Sequence, residues 1–140
     1  MIGVIILAAG DSLRMGRPKA LLPIDGTTFL GRILDNYRLL NAGTIALVLG
    51  ADAPAVARAI STDDLTVVIN RHTDRGQLTS LLEGLAALPS CDLSGVIVHP
   101  VDHPMVGIDS LRLIVDAALR HPHNIVIPTY GTRRGHPVLF

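Results

Sequence analysis

The chain has 140 residues, 49% of them hydrophobic, with 12 basic and 12 acidic side chains and a formal net charge of zero. That length fits one domain with a substantial core, and the apolar content excludes intrinsic disorder. The balanced charge leaves no basic footprint for a nucleic acid, and two Phe, two Tyr and no Trp leave little on which single-stranded bases could stack. The chain opens on Met1-Ile2-Gly3-Val4-Ile5-Ile6-Leu7, an apolar run with no basic flank that reaches Gly10-Asp11-Ser12 too soon for a membrane span. It reads as a buried strand, Gly3–Ala8, of a cytoplasmic protein. Four more strands are expected at Thr44–Leu49, Leu65–Ile69, Gly95–His99 and Asn124–Ile127; all are rich in Val and Ile and lack polar alternation, the pattern of strands buried on both faces. Helices are expected between them, at Thr28–Asn41, Ala53–Ile60, Leu78–Leu88 and Ile108–Arg120. In the first, Phe29, Leu30, Ile33, Leu34, Tyr37 and Leu40 keep helical spacing, and Asn41-Ala42-Gly43 supplies a stop. In the last, Leu111, Ile114, Val115, Ala118 and Leu119 form one stripe, with Asp109 or Ser110 as the expected cap.

Strand and helix alternate with short connections, which implies an α/β fold with a mostly parallel sheet covered on both faces. Ligands of such sheets bind outside the carboxyl ends of the strands, so functional side chains are expected just after each strand. The one cysteine, Cys91, sits in Pro89-Ser90-Cys91-Asp92; it excludes an internal disulfide and reads as a structural or tolerated thiol. Gly135-His136-Pro137-Val138-Leu139-Phe140 reads as the start of another apolar strand with no polar tail after it, which suggests a domain, residues 1–140, without its C-terminal portion.

The stretch after the first strand, Leu7-Ala8-Ala9-Gly10-Asp11-Ser12-Leu13-Arg14-Met15-Gly16-Arg17-Pro18-Lys19, is the most informative. Ala8, Ala9 and Gly10 let the backbone approach a ligand closely and offer it N–H groups. Arg14, Arg17 and Lys19 place three cations within six residues, the neutralisation a triphosphate requires. The stretch lacks the Gly-Lys-Ser/Thr of a P-loop, and Gly10 and Gly16 are too far apart for a dinucleotide fingerprint. On composition alone, an ordinary loop with solvated basic residues is as good a reading. Asp102, after Val96-Ile97-Val98-His99, falls at the carboxyl end of a central strand, with Pro100 and Pro104 stiffening its turn. A hard carboxylate there suits Mg²⁺ held jointly with phosphate oxygens, although a turn-capping Asp is the commoner use of that position. Gly76-Gln77-Leu78-Thr79-Ser80 opens a helix whose N–H groups suit an anion or a ribose; simple capping by Thr79 or Ser80 is the plainer reading. The charged stretch Arg71–Arg75 reads as a mobile loop and Asn70 as a weaker candidate. His99 reads as a satisfied histidine at a strand end and His103 as a loop residue. His136 suits either an anionic acceptor or a structural turn. The six histidines are not spaced as zinc ligands.

Leu-Ala-Ala-Gly-x-Ser-x-Arg-Met-Gly-x-Pro-Lys, followed by Leu21-Leu22-Pro23 and Gly26, resembles the signature of the MobA-like nucleotidyltransferases, and within them the molybdenum-cofactor cytidylyltransferase branch. The resemblance continues at Gly76-x-x-x-Ser80-Leu81-x-x-Gly84-Leu85, at Pro100-Val101-Asp102-x-Pro104 and at Arg134-Gly135-His136-Pro137, in family order over nearly the whole chain. It implies the three-layer, Rossmann-like α/β fold of nucleotide-diphosphosugar transferases. It also implies transfer of a nucleoside monophosphate, CMP from CTP, to a phosphorylated small acceptor such as the molybdopterin cofactor, with release of pyrophosphate. Arg14, Lys19 and Asp102 would then be catalytic, with Asp102 holding Mg²⁺. Leu7, Ala8, Ala9 and Gly10 would receive base and phosphates, and Gly76 and Ser80 base and ribose. Ala9, where the guanylyltransferase branch commonly has a second Gly, favours CTP weakly. The family's further carboxylate, in an Asp-x-Asp-type segment, has no counterpart among these residues, which keeps a catalytically inactive nucleotide-binding or accessory domain as an alternative. A sugar-phosphate nucleotidyltransferase is another, and a dinucleotide-dependent oxidoreductase is disfavoured by the missing glycine fingerprint.

Overall fold

The computed structural model describes residues 1–10, 16–89 and 92–140. In chain order the strands and α-helices are β1 (Ile2–Ala8), β2 (Pro23–Ile24), β3 (Thr27–Thr28), α1 (Phe29–Leu39), β4 (Ile45–Leu49), α2 (Ala53–Ala59), β5 (Thr66–Ile69), α3 (Gln77–Ala87), β6 (Gly95–Pro100), α4 (Ile108–Arg120), β7 (Thr129–Tyr130), β8 (Arg133–Arg134) and β9 (Val138–Leu139). The principal sheet runs β5-β4-β1-β6-β9. Its first four strands are parallel, with Ile5 opposite Ala46 on one side and Val98 on the other, and β9 is antiparallel to β6. This is the mostly parallel α/β sheet that the alternating pattern implied.

β1 and β4 are apolar throughout because they are covered on both faces: Val4, Ile5, Ile6, Leu47 and Val48 are fully buried. Alternate residues face different layers, as the two-residue period of a strand requires. Val4, Ile6, Ile97 and Leu139 pack with Leu30, Ile33, Leu34 and Tyr37 of α1, Val56 of α2 and Leu111 and Ile114 of α4. Ile5, Leu7, Ala46, Val48 and Val98 form a smaller cluster on the opposite face, beneath Leu81 of α3. Gly84 allows α3 to lie close to the sheet; a β-carbon there would meet Ile5 Cγ2 at 2.6 Å and Val48 Cγ2 at 3.0 Å.

Helix ends follow local chemistry. Thr28 Oγ1 accepts from Gly31 N at 3.1 Å at the start of α1, and Asn41, φ 51°, turns the chain out of the helix beyond its end. The Asp25-Gly26 turn joining β2 to β3 has positive φ at both residues, the tight-hairpin geometry that Asp-Gly favours. Neither Asp109 nor Ser110 caps α4. Gly107 is its N-cap, without a side-chain bond, and Asp109 lies inside the first turn beside Arg112 at 3.2 Å. The expected strand Asn124–Ile127 is also absent. Val126 alone bridges to Leu139, because the neighbouring β9 is two residues long and offers no longer ladder. β5 departs from expectation too: it is an edge strand and alternates between half-buried and exposed positions rather than being buried on both faces. No helix among the described residues is long and apolar enough to cross a membrane.

Candidate functional site

The chain leaves β1 on one side toward β4 and β5, then returns to place β6 on the other side, so a crevice opens beyond the carboxyl end of β1. A cleft of about 210 Å³ occupies it, lined by Leu7, Ala8, Ala9 and Gly10 after β1, Pro100, Val101 and Asp102 at the end of β6, Lys19, and Thr73, Gly76, Gln77 and Ser80 at the start of α3. The hydrogen bond from Val101 N–H to Leu7 O, 3.0 Å, ties two of these segments together. Lys19 begins a single 3-10 turn, Lys19–Leu21, closed by Leu22 N–H donating to its carbonyl at 3.1 Å.

The α3 wall is built around Asn70. Its side chain is buried; Nδ2 donates to Thr79 Oγ1 and Ser80 Oγ, each at 2.9 Å, and Oδ1 accepts from His72 N–H at 2.8 Å. Thr79 Oγ1 lies 2.8 Å from Gly76 O and 3.1 Å from His72 O, so its single hydrogen serves a carbonyl. Neither Thr79 nor Ser80 caps the helix. Gly76 takes that place at φ 90°, a conformation L side chains rarely adopt, and the first turn of α3 opens onto the cleft with N–H groups that have no intrahelical acceptor. The stretch Arg71–Arg75 carries a 3-10 turn at Thr73–Arg75 that brings Thr73 to the cleft wall.

Opposite, Asp102 is half-exposed, and His103 Nε2 lies 3.7 Å from Asp102 Oδ1. The His103 ring tilts against that of His136, centroids 4.9 Å apart. Burial lowers the pKa of His136, as does neighbouring His103, while Asp102 opposes both. His136 does not line the cleft. It borders an adjoining apolar groove of about 300 Å³ that shares Leu7, Gln77 and Pro100 with the cleft. Beneath the Asp102 turn, His99 is fully buried with both ring nitrogens engaged, Nδ1 at 2.8 Å from Tyr37 Oη and Nε2 at 3.0 Å from His103 O. A carbonyl only accepts, so Nε2 carries the hydrogen. Burial depresses the His99 pKa to about 4, which keeps the ring neutral, so the Tyr37 hydroxyl donates to Nδ1. Burial also pushes the Tyr37 phenol pKa up, which keeps it a donor.

Asp102 is the one carboxylate among the described residues lining the cleft, and no cluster of three or more metal-ligating side chains forms among the described residues. This donor set fits a Mg²⁺-like ion held by one carboxylate, waters and a ligand's phosphates; it does not fit a site built from protein donors alone.

Residues 4–140 match the MobA-like NTP transferase domain. The chain belongs to that family. It is similar to the nicotine blue oxidoreductase of Paenarthrobacter nicotinovorans, 31% identical over 96% of this chain and 68% of that protein. It is also similar to the bifunctional protein GlmU of Pseudomonas aeruginosa strain LESB58, 32% identical over 80% of this chain but only 24% of GlmU. Among solved structures, Rv0371c of Mycobacterium tuberculosis H37Rv superposes with TM-score 0.88 at 36% identity, over 99% of this chain and 70% of Rv0371c. A manganese complex of Rv0371c matches with TM-score 0.83 at 34% identity, with the same coverage.

In this MobA-like domain, Leu7, Ala8, Ala9, Gly10, Lys19, Gly76, Ser80 and Asp102, singled out from the sequence, meet around one cleft. Arg14 and Cys91 lie outside the described residues, and Arg17 is exposed and not part of the lining. Sequence reasoning passed over Thr73 and Gln77, and it took Tyr37 for one more core residue. The only signal for Tyr37 was a hydroxyl on an apolar helical stripe, which demands a buried partner.

Proposed function

We propose that this domain binds a nucleoside triphosphate in the cleft and transfers its nucleoside monophosphate to a phosphorylated small acceptor. The observation that carries the reading is the convergence of Lys19, Asp102, the Ala8–Gly10 backbone and the opening turn of α3 on one cleft at the carboxyl ends of β1 and β6. An oxygen of the acceptor phosphate attacks the α-phosphorus. The new P–O bond forms as the bond to the bridging oxygen breaks, and the electron pair leaves with pyrophosphate. The acceptor oxygen is already anionic, so no general base is needed, and the protein supplies position and charge neutralisation. Lys19, with Arg14, neutralises the phosphates, Leu7–Gly10 receive base and phosphates, and Gly76 and Ser80 border the base and ribose. Asp102 would hold a divalent ion, Mg²⁺ or Mn²⁺, which when bound would supply further charge neutralisation on the phosphates; the manganese complex of Rv0371c supports a divalent ion in this family. CTP is the proposed donor and a molybdopterin-type phosphate the proposed acceptor. His136, whose ring tilts against that of His103 beside Asp102, is the candidate to meet the acceptor's phosphate.

A second reading rests on the likeness to nicotine blue oxidoreductase. In it the cleft and the adjoining apolar groove would together take the two reactants of an oxidoreduction.

Calorimetric titration of CTP, GTP, UTP, ATP and NADPH, each with and without Mg²⁺ or Mn²⁺, separates the two. Metal-strengthened CTP binding is the expected result. Asp102→Asn is expected to abolish the metal-dependent gain. Lys19→Ala should cost about 1.5–3 kcal/mol of triphosphate affinity in a folded protein. Metal-independent binding of NADPH alone would overturn the transferase reading, and a clear GTP preference would overturn the choice of CTP.

A further inference from the structure

The cleft makes no direct use of Tyr37 or His99, yet both are fully buried, Tyr37 within the apolar cluster of α1 and the sheet. Polar groups in such a place are tolerated only when every one is paired, and an apolar pair of similar volume would fill the space at no such cost. The way these two are paired indicates what they do. The chain of bonds runs from Tyr37 Oη to His99 Nδ1, and from His99 Nε2 to the carbonyl of His103, the residue that follows Asp102.

The surrounding bonds show how the Asp102 turn is held. His103 N–H donates to Pro100 O at 3.2 Å, Val101 N–H to Leu7 O at 3.0 Å, and Asn36 Nδ2, beside Tyr37 on α1, to Val106 O at 3.0 Å. The Asp102 carboxylate's contact with the His103 ring, 3.7 Å, is too long for a hydrogen bond, so its direction is set mainly by the backbone on either side. Of the contacts described, only the His99 bond grips the carbonyl immediately beyond Asp102, and it does so from a ring immobilised by burial and by edge-on packing against Tyr37 at 81°.

We propose that Tyr37 and His99 are positioning residues: through His103 O they fix the turn that aims Asp102 into the cleft, so that α1, remote from the ligand, sets the geometry of the metal-binding carboxylate. This rests on the assignment of Asp102 above. A carboxylate that binds an ion only jointly with a nucleotide needs this kind of support, because a displacement of about 1 Å weakens a shared site severely.

Tyr37→Phe removes the first donor at constant ring volume. His99→Leu removes the bond to His103 O, and His99→Gln restores an N–H donor to it. Each variant is examined by hydrogen exchange at the His103 amide, by the gain in CTP affinity on adding Mn²⁺, and by thermal melting. Tyr37→Phe and His99→Leu are expected to speed His103 exchange and to reduce the Mn²⁺-dependent gain by about three- to tenfold. Metal-free CTP affinity is expected to stay as in the wild type, and His99→Gln to recover part of the gain. Lower melting with unchanged His103 exchange and an intact Mn²⁺ gain would overturn the proposal and leave the pair as core packing. Absence of any Mn²⁺ gain in the wild type would overturn the assignment of Asp102 instead, while the exchange measurement still decides whether the pair holds the turn.

Discussion

The two faces of the sheet are built differently. On one, α1, α2 and α4 close over Val4, Ile6, Leu47 and Ile97 in a continuous apolar layer, and the buried polar pair in it, Tyr37 and His99, has its polar atoms bonded. On the other, α3 with Leu88 and Leu93 beyond it covers Ile5, Val48 and Val98, while Leu78, Leu82, Leu85 and Phe140 are exposed by 43% or more. The filled face supplies most of the apolar burial. The sparser face places a helix start, a conformationally special glycine and a hydroxyl-rich wall beside the cleft. Most of the apolar burial and the α3 wall of the cleft therefore come from opposite sides of one sheet.

If that division is right, truncation should separate the faces sharply. Leu34→Ala, on the filled side, is expected to cost about 2–5 kcal/mol by denaturant unfolding, whereas Leu82→Ala should stay within about 0.5 kcal/mol. Equal losses would abolish the distinction. The next largest effect is a pH dependence of the filled face. His99 titrates at about 4 when folded against 6.5 ordinarily, so the unfolded chain takes up its proton first as the pH falls. Stability from this group is fully present above 6.5 and drains away as the pH drops toward 4, by about 3 kcal/mol over that window. Unfolding free energies measured across it should flatten in His99→Gln, and an unflattened curve would place the acid sensitivity elsewhere.

On the sparser face, Gly84→Ala forces a methyl to 2.6 Å from Ile5 Cγ2, closer than relaxed contacts come, and to a tight 3.0 Å from Val48 Cγ2. The cost should be about 1–3 kcal/mol, read as a lowered Tm, despite the better helix propensity of Ala. A rise in Tm would mean that α3 can lift from the sheet freely. The smallest effect is expected at the rim of the filled face, where Arg38 grips Asp64 through bonds of 2.7 and 2.8 Å. The pair holds the Asp64 carboxyl below its usual range, chiefly through that hydrogen bond, yet both side chains are more than a third exposed. Asp64→Asn should therefore cost no more than about 1 kcal/mol, less in high salt. A larger loss would make this bridge a structural clamp between α1 and the approach to β5.

What the sequence determined by itself was whatever depends on local pattern. Apolar runs and helical spacing located β1, β4, β5 and β6 and all four α-helices to within about two residues, and the cation-bearing loop, Gly76, Ser80 and Asp102 stood out because their residue types suit phosphate and metal chemistry. The strand expected at Asn124–Ile127 failed because pairing needs a partner of matching length, and β9, whose apolar run was legible in the sequence, meets it only at Leu139. The caps expected at Asp109 and Ser110 failed because Gly107 begins the helix earlier. Only the tertiary structure decided that Asn70 organises the start of α3, that Thr73 and Gln77 reach the cleft, and that Tyr37 meets His99 beneath Asp102. Those contacts join residues that short-range periodicity cannot relate. Tyr37 and His99, 62 positions apart, become partners only because α1 packs across a parallel sheet in which β6 lies beside β1, and the cost of an unpaired buried polar group then compels them to bond.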